Sequence, residues 1–311
     1  MNPLYRALGI SKQSFHQKLN RLYMLRSEQE QLFILIHQLR EDHPTMGMRD
    51  MYFKLAPECM GRDAFERFCV ENDLKSKQKK NFRRTTDSSG VLRFDNLIDE
   101  LSIVRINQVW QSDITYFEVN GIFYYLTFII DAYSRRIVGY KASKRLFTEH
   151  TTIPALTMAT QLRRKQRLSI VGLILHSDGG GQYFDKGFIE LTSKEGIINS
   201  MCEYAWENGK AERINGVIKN NYLKHRVIKS YEDLVSELDR SVYLYNSKKP
   251  HIELQRLTPM KFENNYICKG QQSNGDKSAM EIETQQQRAF SALRAEDNNP
   301  SGSNIAQKIV N

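Results

Sequence analysis

The sequence lacks an apolar stretch long enough to cross a lipid bilayer. Its longest apolar run, residues 122–130, includes tyrosine and threonine. That run is far shorter than the roughly 18 to 20 residues that a transmembrane helix needs. The first 21 residues also lack the apolar segment of a secretory signal peptide. We therefore expect a protein without a membrane span.

Cysteine is scarce as well. The chain has four cysteines, widely scattered and with no Cys-x-x-Cys pair: Cys59, Cys69, Cys202 and Cys268. This distribution argues against both a disulfide framework and a zinc knuckle. It is typical of a reduced, intracellular compartment.

Basic residues outnumber acidic ones. The chain of 311 residues has 45 Lys and Arg against 36 Asp and Glu, a formal charge of +9. Such a surface attracts polyanions, and without a membrane span the polyanion is expected to be nucleic acid. The length suits one catalytic domain with one or two small ones.

Residues 1–74 predict a small all-α region with helix-turn-helix spacing. Ser11 is placed to cap its second helix, and Ser27 with Glu30 resembles a capping box that would start a third. The cations of the second helix that we expect to contact DNA are Lys12 and Lys18.

Residues 75–104 predict a linker, because apolar periodicity disappears there and cations accumulate. The linker is either a solvated connector or an arm that follows the DNA backbone. For the second alternative, the DNA-contacting residues are Lys79, Lys80, Arg83 and Arg84.

Residues 105–265 predict an α/β domain with the element order βββαβαβα. Asn120 and Gly121 give a strong hairpin signal between the first two strands. This order implies a mixed five-stranded sheet with helices on its faces. Residues 266–311 are rich in Gln, Ser, Asn and Asp, which indicates a low-complexity and disordered tail.

Two aspartates stand out in this domain. Asp113 lies inside a strand otherwise suited to burial, where its charge needs compensation by a cation. Asp178 ends an apolar strand and precedes three glycines, which leave room for another backbone to approach. Taken singly, such an aspartate is more often structural than catalytic.

A third acid begins a predicted helix. Glu212, Asn215 and Lys219 share one helix face at i, i+3 and i+7, so a carboxylate and an ammonium can point together toward the sheet. The alternative is a solvated charged face. Three converging acids could hold two Mg²⁺ or Mn²⁺ ions for an in-line phosphoryl displacement, because hard cations prefer oxygen ligands.

Four segments, in this order, resemble the integrase core of insertion-sequence transposases, within the DDE integrase superfamily. The resemblance is closest to the second-frame (OrfB) transposases of insertion-sequence family three. The segments are Trp110–Tyr116, Ile130–Arg135, His176–Tyr183 and Glu207–Lys219. The closing motif of that family is also matched, by Tyr245, Asn246, Pro250, His251, Leu254, Thr258 and Pro259.

The resemblance implies an RNase H-like core whose catalytic and metal-binding acids are Asp113, Asp178 and Glu212. Glu207 is the rival third acid, since the family has an Asp there, but Glu207 lacks the i+7 relation to Lys219. Asp131 also recurs in the family pattern, although its position suits capping of a turn.

Supporting residues have open roles. Lys219 either contacts a DNA phosphate or is a surface lysine, and Asn208 either orients Glu212 or caps the helix. His176 either steadies Asp178 or is a core histidine. Gln182 either lines the DNA groove or closes its loop.

The resulting hypothesis is a transposase that cleaves element ends and joins them to target DNA, acting in the bacterial cytoplasm near the nucleoid. The resemblance implies a homo-oligomer on paired ends and a fusion to the product of a small upstream reading frame. Two alternatives stay open: a non-catalytic DNA-binding repressor, and a nuclease of the same fold that does not join.

Overall fold

The computed structural model describes residues 11–76, 94–202 and 205–269, together with residues 5 and 9. The four linker cations predicted to follow DNA, Lys79, Lys80, Arg83 and Arg84, lie outside the described residues. No helix among the described residues is long and apolar enough to span a membrane.

The amino-terminal region consists of a long helix α1 (Lys12–Asp42) and two short helices, α2 (Met48–Leu55) and α3 (Arg62–Glu71). Ser11 caps α1 as predicted, its Oγ accepting from the Ser14 N–H at 3.0 Å. The predicted third helix with its Ser27 capping box is wrong, because α1 runs through this position. Residues 12–42 contain no Gly or Pro, so nothing local interrupts the backbone hydrogen bonds.

Only the carboxyl-terminal third of α1 is buried. Its Leu32, Ile36 and Leu39 pack with α2 and α3 in a small core that includes Met51 and Phe65. The burial of each such side chain stabilises the folded state by about 1.5 to 3 kcal/mol. The end of α1 also contacts the larger domain: Arg226 donates to the Glu41 carbonyl at 2.5 Å, and Arg240 pairs with Asp42 at 3.0 Å.

The sheet has five strands in the order β3-β2-β1-β4-β5. The pairs β1–β2 and β2–β3 are antiparallel, whereas β4 and β5 run parallel to β1. The predicted hairpin is present, with Asn120 and Gly121 at φ 51° and 80°, where glycine is favoured. The strands are β1 (Val109–Val119), β2 (Ile122–Asp131), β3 (Ile137–Ser143), β4 (Ile174–Ser177) and β5 (Ile198–Met201).

Helices cover both faces of this sheet, which confirms the RNase H-like mixed sheet expected from the sequence. The helices α4 (Thr152–Lys165) and α5 (Lys186–Lys194) pack on one face, and α6 (Gly209–Asn221) and α7 (Tyr231–Ser247) pack on the other. Gly139 of β3 permits the close approach of α4, since a Cβ there would lie 2.1 Å from the Ala155 carbonyl oxygen.

Short 3₁₀ turns connect several of these elements. They are Thr148–His150, Gly181–Tyr183, Ala205–Asn208, Leu223–His225 and Ile252–Leu254.

The closing motif supports β3. The Asn246 side chain accepts from the Ile137 N–H at 3.0 Å and donates to its carbonyl at 2.9 Å, and the Tyr245 hydroxyl donates to the Arg135 carbonyl at 3.1 Å. The His251 ring packs edge-on against Tyr245 at 4.9 Å. A second compact unit begins at Glu263, and its described residues, 263–269, are helical.

Candidate active site

Asp113 lies on the central strand β1 with both carboxylate oxygens engaged. Oδ1 accepts from the Ile114 N–H at 2.8 Å, and Oδ2 accepts from Asn215 Nδ2 at 2.5 Å. Burial raises the pKa of Asp113 to about 8, and the charges of Asp178 and Glu212 add to this effect. Like charges close together disfavour full ionisation, so this carboxylate is short of compensating positive charge.

Sheet register places Asp178 beside Asp113. Ser177 at the end of β4 pairs with Ser112 of β1, and each serine is followed directly by an aspartate. Paired strands lie about 4.8 Å apart. Burial raises the pKa of Asp178, Glu212 raises it further, and the Gly180 N–H that donates to Oδ1 at 3.3 Å lowers it.

Glycine after Asp178 leaves room for neighbouring side chains. A Cβ at position 179 would lie 2.8 Å from Met201 Cε, and one at position 180 would lie 3.1 Å from Asp178 Oδ1. The glycine run therefore allows both β5 and the carboxylate to pack closely against this loop, as the sequence predicts.

Glu212 lies in the first turn of α6 and is exposed. Its charge acts on both Asp113 and Asp178, so the three acids share one electrostatic neighbourhood. The rival Glu207 acts instead on His176 and Cys202. The structure thus brings Glu212, together with the two aspartates, to one end of the sheet.

The face of α6 that carries Glu212 is joined to β1 by two further side chains. Asn215 donates to Asp113, and Lys219 Nζ donates to Thr115 Oγ1 at 2.6 Å while lying 5.4 Å from the centre of the Tyr116 ring. Burial lowers the pKa of Lys219. The sequence placed Asn215 on this face through its i+3 spacing from Glu212, but it did not assign Asn215 a partner.

Asn208 departs from the role that the sequence favoured for it. Its side chain makes no capping hydrogen bond, and its Nδ2 instead donates to the Ser112 carbonyl at 2.9 Å. The capping prediction is wrong because Asn208 ends a 3₁₀ turn at φ −95° and ψ 22°, away from the extended conformation of a capping residue. Asn208 therefore fixes the start of α6 to β1 next to Asp113.

The remaining supporting residues take the structural alternatives. His176 is fully buried, with Nδ1 3.0 Å from Ser200 Oγ, and burial lowers its pKa to about 4. Gln182 Nε2 donates to the Leu146 carbonyl at 3.0 Å and so closes its loop. Asp131 Oδ1 accepts from the Tyr133 and Ser134 N–H groups, which caps the turn as predicted.

Lys12 and Lys18 lie on exposed turns of α1, before its buried portion. The acidic residues are on β1, directly after β4 and on α6. The assignment of Lys12 and Lys18 to DNA contact stays a prediction.

The three acids are chemically suited to a hard divalent cation, because they offer only oxygen donors and lack compensating positive charge. They do not form a ready set of ligands. Among the residues that the structure describes, no three His, Cys, Asp or Glu side chains are grouped so that they could hold a metal ion. One oxygen of Asp113 accepts a hydrogen bond from Asn215.

Two family models for an integrase core domain match this chain, at residues 104–205 and 197–259. An uncharacterized 31 kDa protein of insertion element IS600 from Shigella sonnei is 31% identical over 229 residues, which cover 71% of this chain and 82% of that protein. The transposase for insertion sequence element IS629, from the same organism, is 26% identical over 233 residues, covering 73% and 77%.

Solved structures with a similar backbone fold include the HTLV-2 integrase catalytic core domain. That match has a TM-score of 0.38 and 20% identity, and it covers 50% of this chain and 95% of the other. The simian T-cell lymphotropic virus intasome matches with a TM-score of 0.42 and 15% identity, covering 73% and 74%.

Proposed function

Because this chain belongs to the insertion-sequence transposases of the DDE integrase superfamily, we propose that it cleaves the ends of its element and transfers them to target DNA, with Asp113, Asp178 and Glu212 as its catalytic acids. The observation that carries this proposal is the register of β1 and β4, which sets the two aspartates side by side within reach of the Glu212 charge.

Mg²⁺ or Mn²⁺ would be held by these three carboxylates. Two such ions, when bound, supply Lewis-acid activation of the attacking oxygen and stabilisation of the leaving one. The raised pKa values of Asp113 and Asp178 support this proposal, since a cation relieves the repulsion among the acids. Asn215 would orient the Asp113 carboxylate, whose oxygens have further lone pairs for a cation.

The other residues of this face orient the reactants. Lys219 stands beside β1 with its ammonium next to Thr115 and Tyr116, where it can meet a DNA phosphate near the reacting end. Asn208 and Asn215 hold α6 against β1 and so keep Glu212 near the aspartates. Water and then a DNA 3′-hydroxyl are the nucleophiles, so no covalent protein intermediate is required.

Element ends and target DNA are the proposed partners, together with further copies of this chain on paired ends. The excess of 45 basic over 36 acidic residues suits such a partner. Fusion to an upstream reading-frame product remains a prediction.

The test replaces each acid by its amide: Asp113→Asn, Asp178→Asn and Glu212→Gln. Each should lower Mg²⁺-dependent cleavage and joining of element-end DNA to roughly a thousandth or less of the wild-type rate, while DNA binding persists. Glu207→Gln is the matched control and should stay active. Retained cleavage by purified Glu212→Gln would contradict the assignment.

Product analysis separates the alternatives. A repressor shifts end DNA in a gel but never cuts it, with or without Mg²⁺. A nuclease of the same fold cuts without joining. The transposase gives both the cleaved ends and the joined product.

A further inference from the structure

The segment between β3 and α4 forms a basic surface cavity of about 440 Å³ that the acidic site does not include. Its basic lining residues are Lys141, Lys144, Arg145 and His150, which we call the β3-edge cluster. We propose that this cluster binds backbone phosphates of the DNA strand whose reacting phosphate lies at the acidic site. This inference rests on the proposed function and adds where the DNA would lie.

Charge in the cluster is only partly compensated. Lys144 Nζ is 3.7 Å from Glu232, and His150 is 3.7 Å from Glu149. Lys141 and Arg145 are exposed, and within the described part of the chain neither has an acidic partner inside ion-pair distance. Two unpaired cations in a concave surface favour a polyanion.

The backbone that presents these cations is held in place by side chains. Buried Ser143 donates its Oγ–H to the Arg145 carbonyl at 2.6 Å and accepts from the Arg145 N–H at 3.0 Å. Tyr231 of α7 donates to the Ala142 carbonyl at 2.8 Å. The segment is therefore ordered before DNA arrives, which reduces the entropic cost of binding.

Topology sets the cluster at the same edge of the sheet as the acids. Strands β1, β3 and β4 run in one direction, so their carboxyl ends lie together; Asp178 follows β4, and the cluster begins at the end of β3. Gln182, four residues after Asp178, bonds to the Leu146 carbonyl and joins the two loops.

Sheet register gives the distance between the backbones of Lys141 and Asp113. Lys141 pairs with Thr127 of β2, which pairs with Ile114 of β1, the residue after Asp113. Two strand spacings are about 10 Å. Because alternate residues of a strand face opposite sides, Lys141 shares a face with Ile114 and Asp113 lies on the other face. DNA at the acids would therefore reach the cluster around the carboxyl edge of the sheet, past Gln182.

The test compares two variants that each remove two positive charges. Lys141→Gln/Arg145→Gln changes the cluster, whereas Lys165→Gln/Arg167→Gln changes the opposite end of α4. Binding of the full chain to a fluorescein-labelled random-sequence duplex is measured by anisotropy across salt concentrations without divalent metal. The first variant should lower the slope of log affinity against log salt by roughly 1.8, and the second should keep it.

Lys141→Arg/Arg145→Lys keeps the charges and should restore the slope, which separates lost contacts from misfolding. Equal slopes for the two glutamine variants would overturn the inference. Because no metal is present, this result does not depend on whether the wild type cuts DNA. If the cluster variant lowers the slope but the wild type does not cleave DNA, the result contradicts the proposed function and leaves this inference standing.

Discussion

The two aspartates and the glutamate reach the candidate active site by different means. Asp113 lies on β1 and Asp178 directly follows the adjacent strand β4, so the pairing of Ser112 with Ser177 brings them close together. Glu212 stands on α6, which side chains attach to β1: Asn208 to the Ser112 carbonyl and Asn215 to the Asp113 carboxylate. The sheet backbone therefore fixes the two aspartates, the sheet half of the site. The position of Glu212, the helix half, depends on the packing of Ile214 and Ile218 and on a few polar contacts that single substitutions can remove.

Among the side chains that attach α6 to β1, we expect the largest effect at Asn215. Asn215→Ala removes the 2.5 Å contact with Asp113 Oδ2 and the main polar link between this acid and α6. Partners that orient metal-binding carboxylates typically matter by about 10- to 100-fold in metal affinity or activity. We expect a loss of that size in Mg²⁺ affinity, measured by calorimetry, and in end cleavage.

Asn221→Ala is the control, because Asn221 is nine residues after Glu212 and so lies on the opposite face of the same helix. Unchanged metal affinity in Asn215→Ala would mean that α6 is held by its other contacts. The comparison between a sheet half fixed by backbone pairing and a helix half that depends on polar contacts would then fail.

Sequence patterns could predict the sheet half almost completely. Alternating burial, the Asn120–Gly121 turn and the glycines after Asp178 are local signals, and the structure confirms the strands and the hairpin they indicate. The helix half depends on contacts between distant segments. Asn208 bonds 96 residues back in the chain and Asn215 bonds 102 residues back, so helix periodicity identifies their face but not their partners.

The same limit explains the wrong break in α1. A serine followed three residues later by a glutamate occurs both at helix starts and within helices, and only the surrounding backbone decides which applies. The β3-edge cluster escaped prediction for a related reason. Its members are ordinary surface cations until the fold sets the end of β3 beside the Asp178 loop.

A second prediction concerns pH and the sheet half. Burial and mutual repulsion raise the pKa values of Asp113 and Asp178, so both acids tend to retain protons when no cation is bound. Metal binding requires carboxylates and must therefore release protons. Mg²⁺ affinity should rise as pH increases from about 6 to about 8, toward the raised pKa of Asp113.

Calorimetry in two buffers of different ionisation heat measures the protons released per ion. Asp113→Asn should release fewer protons than the wild type, because one of the two perturbed acids is gone. Affinity that does not vary with pH would show that the acids are already ionised and would remove the electrostatic support for a cation site.

The smallest expected effect concerns the far end of α6, where Tyr222 ends the helix. The hydroxyl of Tyr222 lies 3.1 Å from Nδ1 of buried His43. Burial lowers the pKa of His43 to about 4, below its ordinary 6.5. The unfolded chain therefore binds more protons than the folded one between these values. The stability from His43 is complete above pH 6.5 and is lost as pH falls toward 4.

Urea unfolding between pH 7 and pH 4.5 tests this contact between the helical region and α6. His43→Gln keeps a polar partner for Tyr222 but cannot titrate, so its stability should fall less steeply on acidification, by at most about 1.4 kcal/mol per pH unit. Exposed His16→Gln, in the helix that His43 follows, is the matched control and should behave as the wild type. Identical acid slopes in His43→Gln and the wild type would mean that the neutral histidine does not hold the end of α6, and that α6 depends only on its contacts with β1.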